Sequence, residues 1–109
     1  MSIKGLLLDL DGTLYTENRP IEGAREALIR LQAAGIPYRY VTNTTRKPRR
    51  EVVARLDNMG FPVREELVFT PAAAANVKLR GSACYPLVAE ALFEDLSRLR
   101  FDSVSPQYV

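Results

Sequence analysis

The sequence predicts an α/β fold built around the first part of a Rossmann-like parallel sheet with flanking helices. An apolar run at 3–8 ends in an acidic, glycine-containing turn, and a segment with helical periodicity follows it. A second strand, rich in aromatic and β-branched residues, comes next at 38–42. Strand, helix and strand with short connections make a βαβ unit, so the two strands should run parallel.

The first strand should be buried on both faces, as strands of parallel sheets usually are. It leads directly to Asp9 and Asp11 at its carboxyl end. Ligands of open α/β sheets bind at that end, and side chains two residues apart on an extended segment point the same way. Gly12 permits a sharp turn beside a ligand. The two carboxylates are therefore expected to converge on one site.

Two adjacent carboxylates repel each other, and a bound cation offsets this electrostatic repulsion. Their hard oxygen ligands suit Mg²⁺. Carboxylates also attack phosphorus to form aspartyl-phosphate intermediates. The chemistry therefore suggests one Asp as nucleophile and the other as acid/base. The alternative is a plain Asp-Gly turn between two apolar segments.

The helix predicted at 21–34 shows one apolar face of Ala24, Ala27, Leu28 and Leu31. Gly35 and Pro37 end it. A further helix should follow Pro48 and stop at Gly60. The predicted buried set comprises Ile3, Leu6, Leu8, Leu28, Leu31, Val41, Val53 and Leu56.

The second strand ends in the polar sequence TNTT, which begins with Thr42 and Asn43. The Thr42 hydroxyl can donate to a phosphate oxygen, and backbone N–H groups at such a turn favour anions. The alternative is a polar turn that caps the next helix. The basic run at 46–50 is either a solvated helix start or a patch that attracts a phosphorylated substrate.

Beyond position 60, predicted strands and helices continue to alternate along the chain. A short strand is predicted at 67–69, and a helix at 72–79 has Thr70 as N-cap and Pro71 at its first position. A strand at 83–89 contains Pro86, which argues for an edge or bulge. A helix at 90–99 precedes a tail that resembles the start of another strand.

Composition limits the class of protein. The 109 residues carry a net charge of +2, too small to argue for nucleic acid, and no aromatic stacking platform interrupts the basic run. No apolar run is long enough to span a bilayer, and the start lacks the pattern of a signal peptide. The lone Cys84 gives no disulfide framework, and the absence of histidine excludes His-based triads. A cytoplasmic protein is expected.

The motifs LLLDLDGTLY and YVTNTT resemble the first and second motifs of the haloacid dehalogenase (HAD) superfamily of phosphatases. The chain is similar to the N-terminal portion of the class II branch, whose cap follows the second motif. That branch includes phospholysine phosphohistidine inorganic pyrophosphate phosphatase-like and 4-nitrophenyl phosphatase-like enzymes. The resemblance implies an incomplete HAD-like core over 1–70 and the beginning of an α/β cap over 71–109.

The resemblance also implies roles for individual residues. Asp9 would be nucleophile and Mg²⁺ ligand, and Asp11 the acid/base with its backbone carbonyl on the metal. Gly12 and Thr13 would shape the nucleophile turn. The phosphoryl group of a small phosphorylated substrate would be bound by Thr42, with Asn43 shaping its loop.

The family's third and fourth motifs, a Lys and a later acidic pair, have no counterpart here. No Gly-Asp or Asp-Asp pair follows Asp11, and neither Lys47 nor Lys78 follows a second half of the core. The expectation is a fragment of a phosphohydrolase with little activity alone. The alternatives are a non-catalytic remnant that binds phosphate or protein, and a small binding module with a coincidental DLDGT. An unpaired strand edge would allow self-association.

Overall fold

The computed structural model describes residues 2–109, which divide into two compact units. The first unit comprises the chain up to Thr42 together with Arg49–Phe69. The second unit comprises Asn43–Pro48 and Thr70–Val109. The chain therefore passes from the first unit into the second and back again between its second strand and its second helix.

A three-stranded parallel sheet organises the first unit. Its strands are β1 (Leu6–Asp9), β4 (Tyr38–Val41) and β5 (Val68–Phe69), in the order β1-β4-β5. The helices α1 (Ala24–Ala33) and α2 (Arg49–Asn58) are the crossover segments of this sheet. Leu6 pairs with Tyr38 and Asp9 pairs with Val41. The predicted parallel α/β architecture is confirmed, with α1 shorter than the predicted 21–34.

The core of the first unit forms where the sheet meets the apolar faces of its helices. Leu28 of α1 and Leu56 of α2 are fully buried, as predicted, and Tyr40 of β4 joins them. The remaining buried members are Leu10, Leu14, Tyr15, Tyr38, Val52, Met59, Phe61 and Val68. Five further residues of the predicted buried set are only partly buried, which corrects that prediction: Leu6, Leu8, Leu31 and Val53, which pack against this cluster, and Val41.

Strand β1 is covered on one face only, which differs from the prediction. Leu6 and Leu8 are half-buried, whereas Leu7 is 77% exposed. The prediction that Ile3 is buried is wrong, because Ile3 precedes the strand and is 70% exposed. Within residues 2–109, β1 pairs along its length with β4 alone, so it is an edge strand of this sheet.

A small antiparallel hairpin follows the acidic turn. Strands β2 (Tyr15–Thr16) and β3 (Arg19–Pro20) pair in the register Tyr15 to Pro20 and Thr16 to Arg19. The polar sequence TENRP at 16–20 predicts a loop, and the hairpin shows that this prediction is wrong. Two residues per strand are too few to show the alternating pattern by which strands are recognised in a sequence.

The second unit has its own apolar cluster of Ala72, Leu92 and Leu96. Helix α3 (Pro71–Lys78) begins where predicted, and the Thr70 hydroxyl accepts the Ala73 N–H at 3.1 Å. The predicted strand at 83–89 is reduced to β6 (Ala83–Cys84), which ends before Pro86 and pairs with β7 (Arg100–Phe101). A 3₁₀ segment, Glu90–Leu96, replaces the predicted helix at 90–99.

None of the helices within residues 2–109 combines the length and the apolar character needed to cross a bilayer.

Candidate active site

Asp9 lies at the carboxyl end of β1, at the point where the sheet gives way to a turn. It is the last residue of the strand, opposite Val41, and it is exposed. Its Oδ1 accepts the N–H of Leu10 at 2.9 Å. One carboxylate oxygen is thus fixed by its own turn, which limits rotation of the group.

The turn after Asp9 is anchored by a buried leucine. Leu10 is 1% exposed, and its carbonyl accepts the N–H groups of Thr13 and Leu14 at 3.0 and 2.9 Å. Because Leu10 points into the core, its neighbours Asp9 and Asp11 are left on the solvent side. Both carboxylates are exposed, as the chemistry of a substrate site requires.

Gly12 closes the turn with a φ of 81°. Its N–H donates to the Tyr15 carbonyl at 2.7 Å, and a Cβ at this position would meet no atom within 4 Å. The glycine is therefore required by its backbone angle rather than by lack of space. Thr13 is exposed on the same turn.

The backbone of Tyr15 is bonded to the acidic turn, because Tyr15 forms an isolated bridge with Asp11 and its carbonyl accepts the Gly12 N–H. The residue is 4% exposed, and the Arg55 guanidinium lies 5.0 Å from the centre of its ring. Burial raises the pKa of the Tyr15 hydroxyl, the Arg55 charge opposes the shift, and the charges of Asp11 and Asp9 add to it. The Tyr15 ring therefore lies within the electrostatic range of both acidic groups.

Thr42 lies at the same end of the sheet as Asp9. It directly follows Val41, the partner of Asp9, and its own N–H donates to the Phe69 carbonyl at 3.1 Å. Its side chain is half-buried. Asn43 is exposed and belongs to the second unit.

The donor set at this end of the sheet fits part of a magnesium shell. Asp9 and Asp11 offer carboxylate oxygens, exposed so that a hydrated ion could reach them, and Mg²⁺ usually keeps several waters. Over residues 2–109 no group of three or more acidic, His or Cys side chains is arranged to hold a metal. The two carboxylates could hold the ion, but within residues 2–109 no third acidic, His or Cys side chain is arranged with them.

Two residues of this region were not predicted from the sequence, namely Tyr15 and Arg55. Tyr15 appears only as the last residue of the motif LLLDLDGTLY, and no motif singles out Arg55. A weak signal existed, because Glu17-Asn18 is a polar pair suited to a hairpin turn. No local pattern links that turn to an arginine 37 residues further along the chain.

The parallel sheet, with its flanking helices and its acidic turn at the carboxyl end of the first strand, defines an α/β protein with a Rossmann-like sheet. The family model described as haloacid dehalogenase-like hydrolase matches residues 6–102. The chain belongs to this family.

Three similar proteins illustrate the relationship. The rat haloacid dehalogenase-like hydrolase domain-containing protein 2 is 45% identical over 74 residues, which are 68% of this chain and 29% of that protein. The human phospholysine phosphohistidine inorganic pyrophosphate phosphatase is 34% identical over 106 residues, covering 94% of this chain and 38% of that protein. The chain thus spans about a third of the length of these relatives.

The third is a solved structure, the glycerol phosphate phosphatase Rv1692 from Mycobacterium tuberculosis in complex with magnesium. It has a TM-score of 0.77 and 30% identity, over 91% of this chain and 32% of that one. The fold described above is therefore that of known phosphatases, and one of these has been observed with the metal that the acidic turn was predicted to bind.

Proposed function

We propose that the protein containing this chain is a Mg²⁺-dependent phosphohydrolase that acts through an aspartyl-phosphate on Asp9. The observation that carries the proposal is the shared position of Asp9 and Thr42 at the carboxyl end of two paired parallel strands. Family membership and the magnesium-bound relative support the same chemistry. The substrate class is a small phosphate monoester, phosphoamide or pyrophosphate.

The proposed reaction has two steps. A carboxylate oxygen of Asp9 attacks phosphorus, the bond from phosphorus to the leaving oxygen or nitrogen breaks, and Asp11 donates a proton to the leaving atom. Water then attacks the phosphorus of the adduct, Asp11 takes the proton of that water, and the Asp9 carboxylate is released with inorganic phosphate. The two steps together return both Asp side chains to their initial states.

Binding of the phosphoryl group is assigned to the turn residues and to the end of β4. Thr42 would donate its hydroxyl to a phosphoryl oxygen, Gly12 and Thr13 would shape the turn below it, and Asn43 would shape the second loop. Asp9 and Asp11 would hold Mg²⁺. When bound, the ion offsets the negative charge that accumulates between carboxylates and phosphate.

The test is hydrolysis of 4-nitrophenyl phosphate by purified 1–109, with Mg²⁺ and with EDTA, over long incubations. Wild type is expected to release phosphate slowly and only with Mg²⁺. Asp9→Asn removes the nucleophile and should abolish release. Asp57→Asn makes the same chemical change at an exposed position on α2 and should leave the rate unchanged.

Amide chemical shifts give a second readout of the same site. Mg²⁺ should move the signals of residues 9–13 in wild type and not in Asp9→Asn. Hydrolysis without Mg²⁺, or hydrolysis that Asp9→Asn retains, would contradict the proposal.

A second candidate function is phosphate binding without turnover. It is favoured by the donor set, since no third acidic, His or Cys side chain accompanies Asp9 and Asp11 within residues 2–109. In that case inorganic phosphate would shift the amide signals near Asp9 and Thr42, and no hydrolysis would be measured. A protein-binding role would leave these signals unchanged.

We further infer a cytoplasmic location, which the single cysteine supports.

A further inference from the structure

The β2–β3 hairpin is bonded directly to the acidic turn. Asp11 and Tyr15 form an isolated bridge, and the Gly12 N–H donates to the Tyr15 carbonyl at 2.7 Å. The Ile21 N–H closes the other side by donating to the Leu14 carbonyl at 2.9 Å. Any displacement of Tyr15 would therefore displace the residues on either side of Gly12.

The hairpin is too short to hold its own shape. It has two residues in each strand, and isolated hairpins are marginal in water even when longer. At its tip Glu17 has a φ of 59°, a left-handed conformation that is unfavourable for a residue with a side chain. Such conformations persist when surrounding contacts determine them.

Arg55 supplies those contacts from helix α2. Its Nη2 donates to the Glu17 carbonyl at 2.6 Å, and its Nε donates to Asn18 Oδ1 at 2.9 Å. Its guanidinium also lies 5.0 Å from the centre of the Tyr15 ring, a cation–π distance. One planar group therefore contacts the first strand of the hairpin and both residues of its tip.

We propose that Arg55 is a positioning residue, which acts through the hairpin to fix the turn that carries Asp11. It contacts Tyr15, Tyr15 bonds to Gly12, and Gly12 follows Asp11 in the turn. Arg55 does not itself touch the reacting groups. Its consequence for catalysis rests on the proposed function, in which Asp11 is the acid/base.

Amide hydrogen exchange of Gly12 tests the positioning directly, without any activity. Arg55→Ala removes all three contacts, and Arg55→Lys keeps the charge but loses the planar fork. Both are expected to speed exchange at Gly12 at least about tenfold, because its acceptor on Tyr15 is no longer held. The amides of Leu6 and Thr42, which donate to Pro37 and Phe69 in the sheet, should change less than about twofold.

Arg30→Ala is the matched control, since Arg30 is an exposed arginine on α1. It should leave Gly12 exchange at the wild-type rate. The proposal is overturned if Gly12 exchange in Arg55→Ala equals that in Arg30→Ala. It is also overturned if Leu6 and Gly12 accelerate together in Arg55→Lys, because Arg55 would then stabilise the whole unit rather than the turn.

Hydrolysis of 4-nitrophenyl phosphate separates this inference from the proposed function. In Arg55→Ala, the displacement of Asp11 should lower kcat roughly tenfold, while KM changes less than about twofold. If wild type shows no hydrolysis, the proposed function fails for this chain, and Gly12 exchange still decides the role of Arg55. If kcat stays constant while Gly12 exchange rises, the link from the hairpin to the acid/base is refuted.

Discussion

Tyr40 shows how one hydroxyl group in the core of the first unit ties stability to pH. Its side chain is fully buried between sheet and helix, and its hydroxyl donates to the Pro62 carbonyl at 2.7 Å. Burial raises the pKa of this hydroxyl above its usual range, and the neighbouring Tyr38 raises it further. The folded state therefore favours the neutral form.

The stability that comes from this preference is present at pH values below the ordinary tyrosine pKa near 10 and is lost as the pH rises above it. Tyr40→Phe is expected to cost about 1–3 kcal/mol at pH 7, because the Pro62 carbonyl loses its nearest donor. In the same variant, the free energy of unfolding should fall less steeply above pH 10 than in wild type.

Urea denaturation at several pH values measures both effects. Tyr85→Phe is the control, since Tyr85 is 44% exposed, and it should follow the wild-type pH dependence. A Tyr40→Phe variant with wild-type steepness above pH 10 would show that Tyr40 is not the group responsible.

The helices of the first unit depend on single leucines that reach the core. Leu56 of α2 is fully buried, whereas Leu7 of β1 is 77% exposed. Leu56→Ala should lower the free energy of unfolding by about 2–5 kcal/mol, because it leaves a cavity. Leu7→Ala deletes the same atoms at the exposed face and should change it by less than about 0.5 kcal/mol. Equal losses in the two variants would mean that the sheet face at Leu7 is covered in solution.

Helix α3 in the second unit depends on its N-cap. Thr70 is 1% exposed, and its hydroxyl accepts the Ala73 N–H. Thr70→Ala should cost about 1 kcal/mol, while Thr70→Ser keeps the acceptor oxygen and should recover most of it. Exchange rates of the α3 amides measure the difference, and a serine variant as unstable as the alanine variant would assign the loss to the missing methyl group.

Elements with a strong local signal were predictable from the sequence. Helix α1 was recognised by the spacing of Ala24, Leu28 and Leu31, and the start of α3 by the capping pair Thr70-Pro71. The parallel pairing of β1 with β4 followed from the βαβ order. In each case the interactions that form the element are between residues close in the chain, or the arrangement follows from the order of the elements. A single sequence is therefore enough to predict it.

Other features depend on contacts that no local pattern encodes. The exposure of Leu7 reflects one face of β1 that no described element covers, and strand β6 ends at Cys84, before Pro86, rather than reaching residue 89. At the candidate site, the acidic turn and Thr42 were found from motif and topology. Arg55 was missed because its partners, Glu17 and Asn18, lie far from it in the chain.

At the scale of the whole molecule, the balance of charge around the proposed reaction centre determines how active the chain can be. Phosphoryl transfer relies on groups that neutralise the phosphate and hold the metal. Within the described part of the first unit the one lysine is Lys4, which precedes β1 at its amino end, whereas Asp9 lies at the carboxyl end of that strand. Within residues 2–109 no third acidic, His or Cys side chain joins Asp9 and Asp11 to complete a metal site.

Purified 1–109 should therefore hydrolyse 4-nitrophenyl phosphate at least about a hundredfold more slowly than the full-length human pyrophosphate phosphatase relative, assayed side by side with Mg²⁺. The expected deficit follows from the loss of even one preorganised charge partner, which typically lowers kcat by about 10²–10³. The residual rate should disappear in Asp9→Asn. A wild-type rate within tenfold of the relative, still abolished by Asp9→Asn, would show that this chain carries a complete site, and that its charge partners come from residues assigned here to other roles.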